Sequence, residues 1–365
     1  MLVRLLTVLI ATLALAAPAE AARKVPPGFY GITYDGELRD ASAGYQDRAW
    51  GLMAKNGVES ARAVFSWAWA QLTKDQAFDF SRSDRVVRDA AKHGVQLLPI
   101  VMDTPVWARE ERGNWWPQRA RDYARYAGAL VERYGRGGDF WAENPGLPRR
   151  PLRHWQIFNE PGTSEHYGPV LRVAHDAIKD ADRRAKVVLS GLTGEPHRAP
   201  WDVLRQQYKN GGIKGHFDIA ALHLYTRKPA NVVEGVRLFR RVMKRNGDGE
   251  KPLWMTEFGI TASKGRTKAP SYQRTLRTTD RGMAKFLKRA YRFLARDHDR
   301  KDIRLDRAYW YTWSSSYERG AGIFRFAGLN RFVDGRLKPK PALRRYRESA
   351  RRDQGCRKTA KGRCR

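Results

Sequence analysis

Residues 153–161 read Arg153-His154-Trp155-Gln156-Ile157-Phe158-Asn159-Glu160-Pro161, and residues 253–259 read Leu253-Trp254-Met255-Thr256-Glu257-Phe258-Gly259. Each is a short, β-prone apolar run that closes on a glutamate. Runs of this kind predict strands buried on both faces, as in a parallel sheet. The end of a buried strand is an uncommon place for a charge unless the charge is paired or used.

Working outward, the same pattern recurs. With the quoted stretches read as strands at Arg153 to Phe158 and Pro252 to Thr256, six further strands are predicted. They are Gly28 to Tyr34, Ser60 to Trp67, Val95 to Met102, Lys186 to Ser190, Phe217 to His223 and Leu305 to Thr312. Amphipathic stretches separate them: Ser81 to His93, Gln118 to Tyr134, Val170 to Arg184, Trp201 to Lys209, Val232 to Arg245 and Gln273 to Arg296. In the first of these Ser81 and Ser83 are expected caps and Gly94 the stop. Eight strands alternating with helices predict an α/β chain folded as a single-domain (β/α)8 TIM barrel with long βα loops, spanning 22–350. The competing layout is a doubly wound sheet with a second domain. Its nucleotide-binding versions lose support, because no Gly-x-Gly-x-x-Gly follows the first strand and no Gly-x-x-x-x-Gly-Lys-Ser/Thr occurs.

The ends read differently. Residues 1–21 carry Arg4, an apolar run from Leu5 to Ala17 and the small-x-small Ala19-Glu20-Ala21, the expectation for a signal peptide and a secreted chain. No later stretch is long and apolar enough for a transmembrane segment. Residues 351–365 hold seven Lys or Arg against Asp353 alone and are read as a basic tail. Export would make a disulfide between Cys356 and Cys364 the expectation. Those are the only cysteines, so a disulfide scaffold and thiolate metal sites are excluded. No metal and no cofactor is expected. Over 365 residues, 70 Lys+Arg face 38 Asp+Glu, a net charge of +32, which raises a nucleic-acid or other polyanion binder as one reading. The 12 Trp, 15 Tyr and 14 Phe argue instead for a substantial folded core.

In a barrel of this type the loops after the strands build the active site. Glu160 and Glu257 then stand across one mouth. Cleaving a glycosidic bond with retention needs such a pair: one carboxyl group protonates the leaving oxygen, and a second, about 5 Å away, attacks the anomeric carbon.

The stretch Trp155 to Pro161 resembles the Asn-Glu-Pro motif at the fourth strand of the retaining glycoside hydrolases with (β/α)8 barrels, called clan A or the 4/7 superfamily. Trp254 to Gly259 resembles their seventh-strand nucleophile motif. The resemblance covers roughly residues 29–347, and within the clan the pattern is nearest to families 39 and 5. It implies Glu160 as acid/base, Glu257 as nucleophile and a double displacement. It also implies Arg62 beside the nucleophile, His223 and Tyr225 as hydrogen-bonding partners there, and Asn159 on the hydroxyl next to the anomeric carbon. Trp313 is expected as an apolar sugar floor, and relatives often hold the corresponding Trp by a cis peptide to the next residue. Trp67 is expected at a sugar subsite; Trp69, Trp107, Trp115 and Trp116 share its loops.

The expected function is therefore a secreted glycosidase acting on a β-linked polysaccharide or oligosaccharide, with electrostatic association to an anionic cell-envelope polymer and no specific nucleic acid. The alternative is a non-catalytic carbohydrate-binding or cell-envelope protein on the same barrel. There is no Gly-x-Ser-x-Gly and no His-Glu-x-x-His, and His166, His175 and His197 are read as incidental.

Overall fold

The computed structural model describes residues 22–35, 41–111, 115–195, 197–316 and 322–355. The expected signal peptide, both cysteines and all of the tail beyond residue 355 lie outside the described residues.

Eight parallel strands form the sheet: β1 (Tyr30–Tyr34), β2 (Ser60–Ser66), β3 (Gln96–Met102), β4 (His154–Ile157), β5 (Lys186–Val188), β6 (Ala220–Tyr225), β7 (Leu253–Gly259) and β8 (Leu305–Trp310). Their order is β5-β4-β3-β2-β1-β8-β7-β6. Bridges between Val188 and Ile219 and between Leu192 and Leu222 join the two ends, so the sheet closes on itself. The helices that interleave the strands are α1 (Ala43–Lys55), the single turn α2 (Trp67–Ala70), α3 (Ser81–His93), α4 (Ala120–Tyr134), the short α5 (Asp139–Glu143), α6 (Tyr167–Ala181), α7 (Pro200–Asn210), α8 (Ala230–Arg245), α9 (Asp280–Asp297) and α10 (Pro341–Asp353). This is the (β/α)8 barrel.

The hydrophobic residues divide as this architecture requires. Leu98, Val188, Ile219, Ala221, Trp254 and Tyr309 form a separate cluster that fills the barrel interior. Their strand neighbours, such as Leu97, Val101, Val187, Leu253 and Ala308, face the helices and belong to the larger core. Successive strand side chains alternate between the two sides.

Three local readings are corrected. The N-cap of α3 is Phe80, which has no side-chain cap; Asp79 Oδ1, one residue earlier, accepts from the Ser81 N–H at 2.8 Å, and the Ser83 hydroxyl donates to Phe80 O. Gly94 does end that helix, in the left-handed conformation with φ 74°. The predicted helix over Gln273 to Arg296 begins only at Asp280, because Thr279 Oγ1 accepts from the Gly282 N–H at 3.1 Å and caps it; residues 271–276 form a separate 3-10 turn. The helices α1 and α10 are additional to the sequence reading. The second of these carries Arg351 to Asp353 into the fold, and beyond β8 a three-stranded sheet is also added: β9 (Ser314–Ser316), β10 (Asn330–Val333) and β11 (Arg336–Pro339).

Candidate active site

Three inward residues build the floor of the mouth. Arg62 on β2, Gln156 on β4 and Thr256 on β7 are all buried. Arg62 Nε donates to Gln156 Oε1 at 2.6 Å, and Gln156 Nε2 donates to Leu189 O at 3.1 Å and Thr256 Oγ1 at 3.3 Å. Gln156, which the sequence reading passed over, thus fixes the guanidinium plane. From there Arg62 Nη1 donates to Glu257 Oε1 at 2.5 Å and Nη2 donates to Asn159 Oδ1 at 2.6 Å. With its Oδ1 committed to a cation, Asn159 lines the cleft.

Strict alternation along β7 would turn Glu257 away, since Thr256 already points inward. A register shift opposite Leu222 and His223 inserts one extra residue into β7, pairing Leu222 with Met255 and His223 with Glu257. That bulge lets two consecutive side chains, Thr256 and Glu257, face the mouth. Tyr225 OH then donates to Glu257 Oε2 at 2.6 Å. Burial, reinforced by the Glu257 charge, drives the Tyr225 hydroxyl well above its ordinary pKa, so it stays a donor. Both oxygens of Glu257 therefore carry a hydrogen bond, one of them from a permanent cation.

His223 joins the two glutamates. Its Nδ1 lies 2.7 Å from Glu160 Oε1 and 3.6 Å from Glu257 Oε2. The ring is fully buried and fits only because residue 191 is glycine: a Cβ there would stand 1.9 Å from His223 Nε2. Ligand-type atoms of Glu160, His223 and Glu257 all lie within 4.8 Å of one another. Such a spacing also suits a cation; at Glu257 Oε1 that charge is supplied by Arg62. For Glu160, burial is the largest influence and pushes its pKa up, yet the His223 hydrogen bond and charge, the Arg62 charge and the Thr193 hydroxyl together bring it below the usual carboxylate value.

These groups line a cleft of about 830 Å³, together with Asp35, Glu195, His197, Tyr311 and Phe324, which the sequence reading did not select. Tyr311 OH donates to Asp35 Oδ2 at 3.1 Å. Arg62, Asn159, Glu160, His223, Tyr225 and Glu257 are brought together; Trp67 and Trp313 are not. Trp67 is 0% exposed, packs against Trp107, Tyr123 and Tyr126, and donates from Nε1 to Gln71 Oε1. Trp313 is also 0% exposed: its backbone is tied to Thr33 and Asn330, and its ring sinks into the core. Both are packing residues rather than sugar platforms. The cis peptide expected after Trp313 instead links Tyr311 to Thr312. The aromatic residue after β8 that lines the cleft is Tyr311. In that aromatic run the sequence shows no difference that tells the two apart.

No protein-family model and no curated protein matches the chain by sequence. Solved structures do match. A family 39 glycoside hydrolase from the gut symbiont Bacteroides cellulosilyticus aligns over 90% of this chain at 17% identity with a TM-score of 0.63. A monomeric β-xylosidase from Caulobacter crescentus aligns over 90% at 14% identity and 0.62, and a family 1 β-glucosidase from Thermotoga maritima over 91% at 13% and 0.65. The likeness is one of fold. The chain spans 64% of the first structure's length, less than two thirds, against 69% and 99% of the other two. The barrel expected from the clan A resemblance is thus the barrel these hydrolases share.

Proposed function

We propose that this chain is a secreted retaining glycosidase that cleaves a β-linked polysaccharide or oligosaccharide by double displacement. One observation carries the reading. Glu160 and Glu257, at the ends of opposite strands, present carboxylate oxygens within 4.8 Å of each other in a cleft. That is retaining spacing; an inverting pair stands about 6.5–9.5 Å apart to admit a water.

Roles follow from the partners. Glu257, hydrogen-bonded by Arg62 and Tyr225, is the ionised nucleophile that attacks the anomeric carbon. Glu160, less constrained at the open side, gives its proton to the departing oxygen and later takes one from the water that releases the glycosyl ester. The Asn159 amide N–H donates to the neighbouring ring hydroxyl, a contact that strengthens in the transition state. Tyr311 and Phe324 wall the sugar.

Two variants test the assignment. Glu257→Ala abolishes turnover of every glycoside the native chain cleaves. Glu160→Ala keeps activity on aryl glycosides with excellent leaving groups and loses it on alkyl glycosides, which need a proton. Turnover by Glu257→Ala, or equal losses on both substrate classes for Glu160→Ala, contradicts these roles.

A further inference from the structure

A second concavity, of about 510 Å³, is lined by Lys74, Trp107, Arg119, Arg121, Asp122 and Arg125. None of these lines the cleft that holds Glu160 and Glu257. Lys74 lies in the segment after β2, Trp107 and Arg119 in that after β3, and Arg121 to Arg125 in the first turns of α4. The concavity therefore opens on the barrel face where the strands end, the face of the catalytic cleft.

Four cations meet one carboxylate here, and two of them are tied to it. Asp122 is within 3.1 Å of Arg119 Nε and 3.8 Å of Arg125 Nη1, so it orients two guanidinium groups. Lys74 and Arg121 have no acidic partner among the described residues. The wall is equally fixed: buried Gln71 donates from Nε2 to Lys74 O at 3.1 Å and accepts, through its backbone O, from Trp107 Nε1 at 3.1 Å. With its N–H spent inward, Trp107 offers only its ring to a ligand.

An indole plane beside net positive charge matches one chemistry: the apolar face of a pyranose packs on the ring while its acidic substituent meets the forked guanidinium donors. We infer that this concavity is a second saccharide-binding site, selective for glycans that bear carboxylate or sulfate groups. The inference deepens the glycosidase reading by naming an acidic polymer as the material on which the enzyme works.

Binding, not turnover, is the test, so its outcome is independent of whether the chain is a glycosidase. Tetragalacturonate, a carrageenan tetrasaccharide and neutral xylotetraose are titrated calorimetrically into Glu257→Gln protein at one fixed salt concentration. At least one acidic oligosaccharide should bind about tenfold or more tightly than xylotetraose, and which one does so separates carboxylate from sulfate. The double variant Lys74→Gln/Arg121→Gln, in the same background, should erase that preference. The charge-matched double variant Arg289→Gln/Arg292→Gln, on exposed positions of α9, should retain it. The inference is overturned if neither acidic ligand binds more tightly than the neutral one, if both double variants weaken binding equally, or if an oligodeoxythymidylate of equal charge binds as well.

Discussion

His223 holds a buried ring between two carboxylates, and its effect on them has a sign. Because His223 and Arg62 together outweigh burial at Glu160, that carboxyl group loses its proton at lower pH than an ordinary glutamate. A general acid is active only while protonated, so the alkaline limb of kcat/KM on a glycoside with a poor leaving group should fall on the acid side of neutrality. In His223→Gln the hydrogen bond and charge of the imidazole, the two largest lowering influences, are gone, so that limb should move to higher pH. A pH profile of the two proteins decides it; a limb that stays in place or moves down contradicts the assigned electrostatics. Much at this scale was legible in the sequence. Glu160, Glu257 and Tyr225 stand at or just past strand ends and Arg62 is a charge inside a buried strand, but the direction in which Glu257 faces depends on the bulge in β7. Gln156 and Tyr311 were not legible, because a buried amide and one aromatic among several gain their roles only from what lies opposite them across the barrel.

The loop after β4 shows how elements aim a side chain. Glu160 has φ 47° and Phe158 φ 61°, left-handed values that cost about 1–3 kcal/mol each for such residues and need support. The segment after β5 supplies it. Glu195 accepts from the Thr163 N–H at 2.9 Å, in space left by Gly162, where a Cβ would stand 2.2 Å from Glu195 Oε1. Gln207 on α7 donates to Gly162 O at 2.7 Å and Ser164 O at 3.2 Å. Glu195→Ala should therefore misplace the acid more than the nucleophile. Its kcat/KM should fall about tenfold or more on alkyl glycosides, an order of magnitude typical of lost positioning, and much less on activated aryl glycosides. A uniform fall across leaving groups is the contrary result. Strands and most helices were readable because their periodicity is local. The clamp was not, since Glu195 and Thr163 are joined only by tertiary folding, and the bulge in β7 has no glycine or proline to announce it.

Across the whole molecule the two ends of the described chain are fastened together beneath the barrel. Lys24 N–H donates to Asp353 O at 2.8 Å, and Tyr30 OH on β1 donates to Asp353 Oδ2 at 2.5 Å from the last turn of α10. Tyr30, Tyr291 and Tyr346 pack ring against ring around that contact. Removing one partner of a buried, charge-assisted bond costs about 1–3 kcal/mol, so Tyr30→Phe should lower the unfolding free energy by that amount in denaturant titrations while activity persists. Unchanged stability argues against the fastening. This contact also explains why Arg351 to Asp353 read as the start of a tail: Asp353 is one acid among arginines, and its burial is invisible until Tyr30 is opposite it. The net charge of +32 does not define the fold, whose buried cations are individually held: Arg240 by the backbone carbonyls of Gly249, Lys251, Ile303 and Arg304, Arg307 over the Trp254 ring, and Arg62 in the inward layer with Gln156 and Thr256. The central claim is that this layer presents Glu257 as a nucleophile, and trapping it is the most direct measurement. After incubation with a fluorinated mechanism-based β-glycoside the chain turns over, mass spectrometry of its peptides should find one glycosyl group, on Glu257. A label on any other residue, or a product of inverted anomeric configuration, would contradict the account.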